Sequence, residues 1–93
     1  MLKPLEELIS IIRERKTSNP EKSYTNKLLN NKKLNIEKVN EELAELIEAI
    51  EKNDNKVHEA ADILYHLLVL LESNGIKIED VMEELKKRQN EIR

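Results

Sequence analysis

The chain has 93 residues, 39% hydrophobic and 38% charged, with no cysteine and a formal net charge of -3. That length sets one domain over 1–93 and excludes two independent ones, and at this size a partner subunit is worth considering from the outset. Interspersed acidic and basic residues leave no broad basic face for nucleic acid, and the lack of cysteine excludes a disulfide framework, a thiolate zinc site and a nucleophilic thiol.

Without Phe or Trp the core must be Leu, Ile, Val and Ala, and one Gly with two Pro offers little turn chemistry for hairpins or barrels. Glu, Lys and Leu favour helix. The expected class is therefore all-α. Met1-Leu2-Lys3-Pro4 runs directly into an amphipathic pattern without the apolar centre of a signal peptide, which sets a cytoplasmic expectation. Ala60 to Leu71 is the longest apolar-rich stretch; Asp62 and His66 interrupt it and it is too short to span a membrane.

Leu5, Leu8, Ile9 and Ile12 recur at the helical period, so a first helix is expected from near Pro4 to about Lys16. Thr17-Ser18-Asn19-Pro20 reads as a loop. Ser23 can cap a short helix carrying Tyr24, Lys27, Leu28 and Leu29, which Asn30 and Asn31 end. A second long helix is expected from near Asn35 to about Lys52, with Ile36, Val39, Leu43, Leu46, Ile47 and Ile50 along one side. The turn Asn53-Asp54-Asn55 is short enough to fold the next helix back antiparallel. That third helix, about Asn55 to Ser73, is apolar around most of its second half and is the expected centre of the domain. Asn74-Gly75 stops it. Ile78, Val81, Met82, Leu85 and Ile92 form the stripe of a fourth helix starting near Glu79 or Asp80. The architecture expected is an antiparallel bundle of four main helices plus a short one. The third helix has more apolar circumference than three neighbours can cover, so a homodimer is expected.

At about 100° per residue, Glu41, Glu42 and Glu45 share an arc of roughly a hundred degrees on the second helix, and Glu59, Asp62 and His66 share one of about sixty degrees on the third. Facing the two arcs converges four or five carboxylates, and like charges so close destabilise the fold unless a cation intervenes. Oxygen ligands without cysteine favour a hard ion. Mg2+ uses few protein carboxylates and takes further oxygens from substrate phosphates, so the implied substrate is a phosphate ester or anhydride. Glu41-Glu42-Leu43-Ala44-Glu45 alone is more often a solvated face. Asp62 is the stronger signal, because a carboxylate within Ala60-Ala61-Asp62-Ile63-Leu64 needs a partner or a metal. His66 reads as a hydrogen-bonded core histidine, an orienter of Asp62, a phosphate contact or a ligand; His58 reads as an exposed first-turn residue. Tyr24 and Tyr65 suit either a packed role with a bonded hydroxyl or a substrate contact.

Over nearly its whole length the chain resembles the phosphoribosyl-ATP pyrophosphatases, within the all-alpha, MazG-like pyrophosphohydrolase superfamily. The resemblance is carried by Arg15-Lys16 with Asn19-Pro20, Ser23-Tyr24-Thr25-x-Lys27-Leu28, Lys38-Val39-x-Glu41-Glu42-x-x-Glu45, Glu59-Ala60-Ala61-Asp62 through Leu71, and Glu84-Leu85-x-x-Arg88. It implies Mg2+-dependent hydrolysis of phosphoribosyl-ATP to phosphoribosyl-AMP and pyrophosphate in histidine biosynthesis. By the same resemblance Glu42, Glu45, Glu59 and Asp62 are the metal ligands, and Glu41, Glu42 and Glu45 are the catalytic acids. Ser23, Tyr24, Lys27 and Lys38, with His66, are expected substrate contacts. Two departures stand out: Asn40 and Lys32-Lys33 occupy places where the family usually has glycine. Hydrolysis of other nucleoside triphosphates and a non-enzymatic helical dimerisation module are the competing readings.

Overall fold

The computed structural model describes residues 1–91; Ile92, the last residue of the expected fourth stripe, lies outside them. Among the described residues there are five α-helices: α1 Lys3–Glu14, α2 Tyr24–Leu29, α3 Lys32–Lys52, α4 Lys56–Ser73 and α5 Ile78–Arg88. Among the described residues there is no strand, and no helix is long and apolar enough to cross a membrane. The expected all-α bundle of four main helices and a short one is what the chain forms.

Pro4 sits in the first turn of α1, where its missing N–H is no loss, and Ile12 on the inner face is only 1% exposed. The helix narrows to a 3-10 turn over Arg15–Thr17 instead of continuing as α-helix to Lys16. Ser23 caps α2 by accepting from the Asn26 backbone N–H at 3.1 Å. α3 begins at Lys32, earlier than the expected Asn35, because the Asn31 side chain accepts from Leu34 N–H at 3.1 Å. One asparagine pair thus closes α2 and opens α3. α5 likewise starts at Ile78, slightly ahead of the expected Glu79 or Asp80.

The α3–α4 connection turns on two asparagines in the left-handed region, Asn53 at φ 53° and Asn55 at φ 56°. Asparagine tolerates that region better than most residues, and Asp54 N–H returns to the Ala49 carbonyl at 3.0 Å to close the end of α3. Gly75, at φ 70°, ends α4 in the same way, with Ile76 N–H bonded to the Leu71 carbonyl.

α4 is the central element, touching α1, α2, α3 and α5. The buried core gathers Ile12, Leu28, Leu68 and Val69, flanked by Leu5, Leu8, Ile9, Leu34, Tyr65 and Ile78. Side chains as fully enclosed as Ile12 and Val69 contribute about 1.5–3 kcal/mol each. This core sits beside the C-terminal half of α4. Towards the opposite end, α3 leaves Leu43, Ile47 and Ile50 about half exposed, together with Leu64 of α4. A face that periodicity alone would assign to the core is therefore largely open within one chain.

Candidate active site

The antiparallel α3–α4 pair brings the acids of the two helices together. One carboxylate oxygen from each of Glu42, Glu45 and Glu59 lies within 4.8 Å of the others, and His58, Glu59 and Asp62 form a second such group sharing Glu59. Glu42 Oε2 and Glu59 Oε2 are buried without a hydrogen-bond partner. Desolvation first, then Glu45 within hydrogen-bond reach, and Asp62 push both Glu42 and Glu59 above the ordinary carboxylate range. Orphaned oxygens and mutual repulsion are what a divalent cation relieves, so the donor set fits a cation held by carboxylates.

Glu41 is not drawn into either group. It points to the exposed side, where Lys38 Nζ lies 3.4 Å from its Oε2. The hydrogen bond and charge of Glu41, followed by the neighbouring Tyr24, raise the Lys38 pKa. Lys38 thereby stands at the junction between the acids and the aromatic side chains of α2 and α4.

His66 is 7% exposed and uses both ring nitrogens inside the protein. Its Nδ1 is 2.8 Å from the Asp62 carbonyl, which can only accept, so Nδ1 carries the proton. In the neutral ring Nε2 then accepts from the Tyr24 hydroxyl at 3.1 Å. Tyr24 stacks near Tyr65, with ring centres 6.4 Å apart, and the Tyr65 hydroxyl bonds Thr25 Oγ1. Burial raises the Tyr24 pKa, with Lys38 working against it. Tyr24 remains 47% exposed and lines, with Pro20, Glu21, Lys22, Ser23 and Lys27, an open groove of about 520 Å³. Of the expected substrate contacts, Ser23, Tyr24 and Lys27 border this groove, Lys38 lies between it and the acids, and His66 lies beneath Tyr24.

One residue and one contact escaped the sequence reading. Asn26, the unassigned position within Tyr24-Thr25-x-Lys27, is 2% exposed; its Nδ2 donates to the Arg15 and Lys16 carbonyls at 2.6 and 3.2 Å, and its Oδ1 accepts from Asn30. It ties the end of α1 to α2 and so sets where the groove lies. A polar residue between Tyr24 and Leu28 on a helix of only six residues was the available signal. His58 is the exposed first-turn residue expected, and what the reading missed is its partner: Nε2 is 3.3 Å from Asp62 Oδ2, a pairing that the spacing of four signalled.

An all-helical bundle with a carboxylate group fit for a cation, and a separate groove lined by Tyr24 and lysines, suits a hydrolase acting on phosphoric anhydrides. Residues 5–89 match the family model for phosphoribosyl-ATP pyrophosphohydrolase, and the chain belongs to that family. It is 39% identical to the phosphoribosyl-ATP pyrophosphatase of Rhodopirellula baltica, over 95% of this chain and 78% of the relative. It is 43% identical to the phosphoribosyl-ATP pyrophosphatase of Haloarcula marismortui, over 91% of this chain and 92% of the relative. The histidine biosynthesis bifunctional protein HisIE of Bacillus subtilis is also 43% identical, over 95% of this chain but 44% of the relative.

Proposed function

We propose that this chain hydrolyses phosphoribosyl-ATP to phosphoribosyl-AMP and pyrophosphate, with Mg2+ as its metal, in histidine biosynthesis. The observation that carries the reading is the pair of buried, unpartnered carboxylate oxygens on Glu42 and Glu59 within a chain of this family. Glu42, Glu45, Glu59 and Asp62 are the ligands. When bound, the ion supplies positive charge to phosphate oxygens and lowers the cost of forming hydroxide from water. Glu42 and Glu45 contribute as ligands, and Glu41, outside both acidic groups, acts through its pairing with Lys38. Lys38 and Lys27 supply charge to the phosphates, and Ser23 and Tyr24 hold the phosphoribosyl or nucleoside part. Because its nitrogens are both engaged, His66 supports binding by fixing the Tyr24 hydroxyl. Adding water across the α–β phosphoanhydride releases pyrophosphate and leaves the monophosphate on the ribosylated nucleotide.

The test is pyrophosphate release by purified protein with Mg2+, comparing phosphoribosyl-ATP with ATP and deoxynucleoside triphosphates. Phosphoribosyl-ATP should turn over fastest; faster turnover of the free deoxynucleotides would instead assign the chain to general nucleotide hydrolysis.

The working form is a homodimer in the cytoplasm. Leu43, Ile47, Ile50 and Leu64 form an apolar stripe that one chain leaves about half exposed, and a second copy covers it. Sedimentation at micromolar concentration should give twice the chain mass; a monomer throughout would remove the dimer.

A further inference from the structure

The two acidic groups are not equivalent. The inner one, Glu42, Glu45 and Glu59, offers only oxygen, whereas the outer one adds an imidazole to Glu59 and Asp62. His58 stands in the first turn of α4, one helical turn before Asp62, with Nε2 3.3 Å from Asp62 Oδ2. Metal–ligand bonds of roughly 2.1–2.3 Å put neighbouring ligands of an octahedron about 3.0–3.2 Å apart, so this separation is close to what two ligands of one ion require. By itself an imidazole–carboxylate pair at this spacing is an ordinary surface contact. Here its third member is Glu59, whose buried Oε2 has no partner and which also reaches Glu42 and Glu45.

We propose that His58, Glu59 and Asp62 form a mixed nitrogen and oxygen seat, and that His58 directs it towards a borderline transition ion of the Co2+ type while the inner seat remains suited to Mg2+. This rests on the metal reading given above. Mg2+ sheds water reluctantly and selects oxygen, while neutral imidazole is a good ligand for later first-row ions. Glu59 is common to both groups and would serve whichever ion is bound.

Isothermal titration at pH 7.5, where an ordinary histidine is neutral, tests this with Co2+ and Mg2+ on the wild-type protein, His58→Gln and Glu42→Gln. All-oxygen sites also favour Co2+ over Mg2+, so the deciding quantity is the change caused by His58→Gln. Glutamine keeps a polar group on an exposed position, and circular dichroism checks that the helices are retained. The expected result is a loss of Co2+ affinity of about tenfold or more, Mg2+ affinity within about twofold of wild type, and a shift of the Co2+ visible absorption bands. Glu42→Gln should instead weaken Mg2+ more than Co2+. Unchanged Co2+ affinity and spectrum in His58→Gln would overturn the outer seat while leaving the carboxylate site standing. Failure of the wild-type protein to take up either ion would overturn the metal reading and this proposal with it.

Discussion

Glu59 and Glu72 are glutamates on the same helix, one near each end, and the chain treats them in opposite ways. Glu72 is half-buried, but Lys16 Nζ is 2.7 Å from one of its oxygens and Arg13 Nε 3.3 Å from the other. Burial favours the neutral form of Glu72; Lys16 and Arg13 together outweigh it and hold the carboxyl below its ordinary range. Arg13 extends the network to Glu79, whose pKa falls to about 2, chiefly through that hydrogen bond. At the other end Glu59 meets Glu45 and Asp62, its buried Oε2 is unpartnered, and its pKa rises. Where the fold needs a carboxylate for cohesion it supplies the cation from its own side chains. Where it leaves the carboxylates facing one another, only protons or a cation from solution can relieve the repulsion.

The comparison can be broken most directly at Glu42. Glu42→Gln should lower pyrophosphate release at saturating Mg2+ by at least about a hundredfold, while stabilising the metal-free protein by about 1 kcal/mol because a repelling charge is removed. Urea denaturation in chelator reads the stability; a loss there would mean the acidic end is not under electrostatic strain. Asn26→Ala should cost about 2–3 kcal/mol, since it removes donors to two backbone carbonyls in a buried site, and should raise KM by loosening the groove. Glu72→Gln should cost about 1–2 kcal/mol in the same assay, discounted because Arg13 and Lys16 are partly solvated, and should leave kcat near wild type.

The smallest effect is a pH dependence that separates the two ends in the metal-free protein. Glu42 and Glu59 have raised folded-state values, so protonating them favours the fold: their contribution is full below the ordinary value of about 4.3 and is lost as pH rises through the raised values. Glu72 and Glu79 are lowered, so their contribution is present above the ordinary value and lost as pH falls through the lowered values, about 2 for Glu79. Thermal stability should therefore peak near or just above the ordinary carboxylate range. Glu42→Gln should flatten the alkaline limb and Glu72→Gln the acidic one.

Much of this was legible from residue order. Helical periodicity, the capping Ser23 and the Asn74-Gly75 stop are local signals, and they located α1, α2 and α4 to within a few residues. The convergence of Glu42 and Glu45 on Glu59 followed from helical angles and a short turn. Asn26 was not legible because its worth lies in carbonyls ten and eleven residues away, supplied by a 3-10 turn that periodicity does not report. The start of α3 was missed because Asn31 is equally apt as an ending and a cap. For the same reason, a stripe such as Leu43, Ile47 and Ile50 declares that something must cover it without saying whether the cover belongs to the same chain.

The Asn53-Asp54-Asn55 turn has a consequence for how such a centre can drift. Both sets of acids hang from this one hairpin, and each residue added to or removed from a helix turns everything beyond it by about 100°. An insertion or deletion there that propagated into α4 would swing Glu59 and Asp62 away from Glu42 and Glu45 while leaving every acid in place. Length at this turn works as a gauge for the centre, so a descendant can keep its whole complement of carboxylates and still lose the site by a change of one residue.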